Sequence, residues 1–192
     1  MKRLIVISAA ILAASAARDA AAQTFINPFV GTTLTSPSPR GDSSKPGFGI
    51  AFGGLGKIIG GETELAYYPE LLNNAENGLA KSRVISYSAG PLIGPTIGRV
   101  KPYGAIGFGG LYLNVTSLAS IVIPNPASVS SNYFSINGGG GVMVFFSDHL
   151  GVRGDVRYTR AYGFNLSDLQ TTGLTLDRFD FWRAGIGLAA KF

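Results

Sequence analysis

The sequence predicts an all-β fold: a closed eight-stranded antiparallel up-and-down transmembrane β-barrel. Three observations carry that expectation. Eight segments of about ten residues show period-two hydrophobicity. They are joined alternately by turns of roughly three to seven residues and by polar loops of about twelve or more. In the seventh segment, arginine and aspartate take one parity and mainly apolar residues the other. Short turns at one rim and long loops at the opposite rim form the pattern of a bacterial outer-membrane barrel, turns periplasmic and loops outside.

Residues 1–22 are expected to be a secretory signal peptide, and 23–192 the barrel. Lys2 and Arg3 precede an apolar run from Leu4 to Ala14, and Ala20, Ala21 and Ala22 supply the small residues a signal peptidase needs before Gln23. A cut after Ala17 fits less well, because it leaves Arg18 and Asp19 at the mature start. With no cysteine, the chain is neither a lipoprotein nor stapled by disulfides. No later stretch reaches the eighteen or so uninterrupted apolar residues of a helical span. An exported chain that is 46 % hydrophobic must therefore cover its apolar groups in another way. Loss of the signal removes Lys2, Arg3 and Arg18 against Asp19, taking the formal charge from +5 to +3. No basic block with interleaved aromatics is present, so no nucleic-acid partner is expected. The glycine runs at 104–110, 138–141 and 185–187 stand among Phe, Ile, Val and Tyr, where they fit tight curvature and close backbone approach.

The candidate strands, in order, are Thr24–Leu34, Gly47–Gly54, Ile58–Tyr68, Ser82–Gly94, Pro102–Thr116, Asn132–Phe146, Leu150–Tyr162 and Arg178–Phe192. In the first, Phe25 and Phe29 compete with Ile26 and Val30 for the lipid face, and facing is equally open in the second, fourth and fifth. Pro91 requires a bulge or an edge in the fourth. In the third, Glu62 and Glu64 share a face with Ala66 and Tyr68. In the sixth, Phe134, Ile136, Val142, Val144 and Phe146 face lipid, while Tyr133, Ser135, Asn137 and Met143 point inward. The seventh sets Arg153, Asp155 and Arg157 opposite Leu150, Val152, Val156 and Tyr158, and turning each arginine toward lipid near the midplane would cost roughly 2–4 kcal/mol. The eighth turns Arg183 and Lys191 inward and Trp182, Ile186, Leu188 and Phe192 outward. Glu62, Glu64, Asp155, Arg153, Arg157 and Arg183 are thus expected to form a neutral lumen ion-pair network, because an eight-stranded barrel is only wide enough for its own side chains. Tyr103, Phe146, Tyr158, Trp182 and Phe192 are expected as aromatics at the membrane interfaces, with Trp182 and Phe192 about 25 Å apart along the normal.

Three stretches, Lys101–Gly107, Phe146–Arg153 and Asp155–Arg160, resemble the small outer-membrane β-barrel family that includes the transmembrane domain of outer-membrane protein A. The resemblance covers nearly the whole mature chain. It implies an integral outer-membrane protein in contact with outer-membrane lipid and lipopolysaccharide. The closing Gly187–Phe192 looks like the terminal aromatic signal read by the barrel-assembly machinery, with Phe192 as the signal residue. Relatives serve as adhesins, envelope stabilisers, small pores and virulence factors, so the function is not specified. The chain ends at Phe192 without the peptidoglycan-binding domain of the larger relatives, and a cell-wall tether is not expected.

Catalytic, cofactor and metal sites are not expected. Some eight-stranded barrels are lipid A deacylases or palmitoyltransferases, but the single histidine, His149, falls in a periplasmic turn and leaves any serine at the outer rim without its base. One histidine and no cysteine cannot assemble the usual zinc site. The glycine runs lie within strands and so are not phosphate cradles. Arg40-Gly41-Asp42 in the first long loop matches an integrin-binding tripeptide, and Arg153-Gly154-Asp155 repeats it inside a strand, where it can bind nothing. The third and fourth loops carry apolar groups, Ile121 to Ile123 and Phe164 to Leu176, that suit either a surface partner or strands reaching beyond the bilayer. The expected role is non-enzymatic, in envelope structure or surface interaction through the outer loops. A narrow porin-like channel gated by the charged cluster is the alternative. A soluble lipocalin-like barrel would need the opposite facing of the seventh strand.

Overall fold

The computed structural model describes residues 23–35, 44–69, 71, 80–117, 128–162 and 179–192. Eight strands make one closed antiparallel barrel in sequence order. They are β1 Gln23–Thr33, β2 Pro46–Leu55, β3 Ile59–Pro69, β4 Ala80–Ile93, β5 Val100–Ser117, β6 Ser128–Phe145, β7 Leu150–Tyr162 and β8 Asp180–Lys191. The expected signal peptide, Arg40-Gly41-Asp42 and the apolar groups of the third and fourth loops lie outside the described residues.

Most strand ends fall within two residues of the sequence expectation, and the largest difference is at β6. That strand begins at Ser128 rather than Asn132, because Ser128–Ser131 continue the ladder opposite Leu113–Thr116 of β5. Polar residues end an apolar pattern but do not end backbone hydrogen bonding, so a strand can outrun its hydrophobic stretch.

The ladders fix the barrel's size. Gln23 pairs with Leu55, and the Gly54–Gly61 register continued by one step leads from Leu55 to Gly60. From there the path around the wall runs through Leu92, Ala105, Gly139, Arg157 and Arg183 and returns to β1 at Thr33, a stagger of ten residues from 23 to 33. Eight strands with that stagger tilt by about 40° and enclose a cylinder about 16 Å across between backbones. Such a cylinder holds side chains and little else.

Alternation is consistent around the wall. β1 turns Phe25, Asn27 and Phe29 inward and leaves Ile26 and Val30 on the exterior. Room for Phe29 comes from its neighbours: a Cβ on Gly49 would lie 2.6 Å from its ring, and one on Gly187 would lie 2.8 Å from its Cβ. In β2, Ala51 is buried inside and Phe48 and Phe52 are outside; in β4, Val84 and Leu92 are inside and Tyr87 and Ile93 outside. β5 places Tyr103, Ala105, Leu111 and Leu113 inside, with Ile106 and Phe108 outside. Pro91 needs neither a bulge nor an edge. Ala89 pairs with Phe108 and Leu92 with Ala105 in one unbroken register, and the β4–β5 ladder passes over Gly90 and Pro91 between them. A missing N–H is accommodated by skipping those pairs, while Gly61 on β3 still faces Pro91 across the other ladder.

Candidate functional site

The interior is built in three levels. The middle one is ionic, and its members come from β3, β7 and β8 because acids and arginines share the inward parity of those strands. Arg153 bridges Glu62 and Asp155, at 2.9 Å to the latter. Arg157 binds Glu62 and approaches Glu64 at 3.7 Å and Asp155 at 3.5 Å. Arg183 makes a two-pronged pair with Glu64, at 2.9 and 3.0 Å, and reaches Asp155 at 3.4 Å. Every carboxylate therefore touches at least two guanidiniums, and three of each sign leave no net charge. The arginines also stack on aromatic faces: Arg183 lies 4.5 Å from the Phe29 ring centroid and Arg153 lies 4.9 Å from that of Tyr103. A guanidinium suits this place, since it offers five donors in a rigid fork and a flat face for stacking.

Tyr103 is a correction to the expected interfacial aromatics. It points into the lumen, 6 % exposed, where its hydroxyl receives a hydrogen bond from Arg153 Nε at 2.6 Å and donates one to Asp155 at 3.2 Å. A phenol facing lipid would bury no such partner, whereas here it completes the coordination of both ions. The signal lies in parity: Ile106 and Phe108 mark the outward positions of β5, and Tyr103 has the other parity. Phe146, Trp182 and Phe192 are on the exterior. Tyr158 faces outward too, its ring 5.2 Å from that of Trp182 and its hydroxyl donating to Asp180 at 2.8 Å. Phe146 and Phe192 belong to the short-turn rim; Tyr158 and Trp182 lie toward the long loops.

Apolar side chains close the ionic level from both ends. Toward the long loops, Tyr68, Val84, Leu111, Leu113, Tyr133 and Phe181 share one buried cluster. Toward the short turns, Phe25, Leu55, Leu92, Met143 and Phe145 share another. Between the wall at Gly90–Pro91 and the pair Glu62–Arg157 the side chains leave no room for a water molecule. Solute transport would need a polar path through both apolar levels. Among the described residues the buried side chains at both levels stand across such a path.

A lysine missed by sequence reasoning stands at the short-turn end. Lys101 is 1 % exposed, and its ammonium donates to the carbonyls of Gly56 and Gly94, both at 2.9 Å, and to Thr96 Oγ1 at 3.1 Å. Three donors meet three acceptors, so the charge is held by dipoles of two separate turns. No spacing rule points to it, because those acceptors are mostly backbone. Lys101→Met should destabilise the barrel by about 1–3 kcal/mol, the cost of leaving buried acceptors without a donor. Urea titration of protein folded in lipid vesicles checks this.

His149 lies exposed in the turn before β7. Arg153-Gly154-Asp155 is part of β7 with both charged side chains in the ionic level. Among the described residues no group of three or more His, Cys, Asp and Glu could hold a metal ion.

A barrel apolar outside and ionic inside defines an integral membrane protein of the outer-membrane kind. Residues 6–192 match the outer membrane protein beta-barrel domain family, and the chain belongs to that family as an outer-membrane protein. Solved structures with the same fold include a major outer membrane protein from Thermus thermophilus, with a TM-score of 0.63 at 10 % identity over 90 % of this chain and 100 % of that one. The attachment invasion locus protein of Yersinia pestis matches with a TM-score of 0.55 at 16 % identity, covering 90 % and 99 %. Neisserial surface protein A matches with a TM-score of 0.56 at 9 % identity, covering 88 % and 95 %. No curated protein matches the sequence.

Proposed function

We propose that the protein is a non-enzymatic component of the bacterial outer membrane, inserted by the barrel-assembly machinery with Phe192 as its terminal signal and surrounded by lipid and lipopolysaccharide. Its role lies in envelope structure or surface interaction, exerted through the long outer loops. One observation carries this reading. The interior is occupied at three levels by the protein's own side chains, so the surface is where a barrel of this kind can act. Two of the similar structures are those of an attachment invasion locus protein and a surface protein, which supports the same direction.

The porin-like alternative makes an opposite forecast. If the charged cluster were a gate, Arg153→Ala would raise conductance in planar bilayers. With Phe25, Leu55 and Phe145 below it and Leu111, Tyr133 and Phe181 above, both the wild type and Arg153→Ala should stay silent, provided heat-modifiable migration shows the inserted protein is folded. Unit conductance steps from the wild type would contradict the proposed function.

A further inference from the structure

We propose that the first and second short turns together form a binding surface for anionic phospholipid headgroups, in the leaflet that meets the short-turn rim. The inference rests on the reading of the chain as a bilayer-embedded barrel and assigns that rim a lipid preference.

The two turns, Gly56–Ile58 and Gly94–Arg99, are fused into one body. Gly94 N–H donates to the Ile58 carbonyl at 2.8 Å and Thr96 N–H to the Lys57 carbonyl at 3.2 Å. The buried Lys101 ammonium ties Gly56, Gly94 and Thr96 together beneath them. Hairpin tips of a barrel ordinarily stand apart, joined only through their strands. Here they make a single platform whose shape does not depend on either strand alone.

What the platform presents is amphipathic. Ile58 and Ile97 are 60 % and 64 % exposed. Ile59 and Ile93, paired directly across β3 and β4, continue that apolar surface down onto the exterior belt. Beside the isoleucines stand Lys57 and Arg99, both exposed. Arg99 donates only to the Phe146 carbonyl, at 3.4 Å, and among the described residues neither cation is paired with a carboxylate. Asp148 is the one acidic residue on the three short turns. Unpaired cations on a rigid apolar ledge at the edge of a hydrocarbon belt match a headgroup that combines a net negative phosphodiester with glycerol and acyl carbons. A zwitterionic headgroup carries its own cation and gains less from Lys57 and Arg99.

The test uses the full folded barrel in micelles with equal phosphatidylglycerol and phosphatidylcholine, and native mass spectrometry to count the lipids retained. The wild type should hold phosphatidylglycerol over phosphatidylcholine by about fivefold or more at low salt. Lys57→Gln with Arg99→Gln, both at exposed positions, should abolish the preference while keeping heat-modifiable migration. Arg83→Gln with Arg160→Gln, outward cations near the opposite rim, should leave it intact. Equal retention of the two lipids by the wild type would overturn the proposal. So would a preference that survives loss of Lys57 and Arg99, whether or not it disappears with Arg83 and Arg160. A folded wild type that retains neither lipid would overturn it as well, whereas failure to fold into lipid vesicles would refute the embedded barrel itself.

Discussion

Arg183→Met is expected to lower the unfolding free energy by about 3–5 kcal/mol. Arg183 is held by two bonds to Glu64, contact with Asp155 and the Phe29 face against its plane. Methionine restores volume, so the loss measures electrostatics rather than a cavity. It leaves Glu64, only 6 % exposed, with just the 3.7 Å approach of Arg157. Adding Glu64→Leu should recover much of the deficit, because an apolar pair of similar volume costs far less than one orphaned charge. Urea titrations in vesicles, followed by far-UV circular dichroism, read both variants. A loss below about 1 kcal/mol for the single change would mean that solvent reaches the pair.

The opposite surface is tested by Ile186→Arg. Ile186 is 62 % exposed, faces outward near the middle of β8 and has Val30 and Gly154 as cross-strand neighbours. An arginine there would enter the hydrocarbon and should cost about 2–4 kcal/mol, against at most about 1 kcal/mol for the same change at Ile93 by the short-turn rim. The depth dependence separates lipid from water as the outer medium, since a water-facing wall would show no difference between the two sites. Folding efficiency into vesicles as a function of urea gives the comparison.

Strand positions were legible because turn length and period-two patterning do not depend on which face is which. Facing was legible only where a charge decided it. Arg153, Asp155 and Arg157 in β7, Arg183 in β8 and the two glutamates in β3 leave one option, since each would be costly in lipid. β1 offers Phe25 and Phe29 against Ile26 and Val30, two apolar sets of similar hydrophobicity. Its facing is decided by space around Gly49 and Gly187 on neighbouring strands, which no local pattern contains. Tyr103 misled for a related reason: an aromatic near a strand end suits the interface in general, but its parity and the distant Arg153 and Asp155 place it inside. Lys101 was invisible because its partners are carbonyls of two turns, and a sequence does not show which carbonyls will converge.

In this structure the wall divides the apolar exterior from a buried, ion-paired interior. Nitroxide labels on single cysteines at Ile106 and Ile186, both outward at mid-height, test it most directly in protein folded into vesicles. Electron paramagnetic resonance should show frequent collisions with membrane-dissolved oxygen and few with a water-soluble nickel chelate at both sites. Ready access of the nickel chelate at either one would contradict the account.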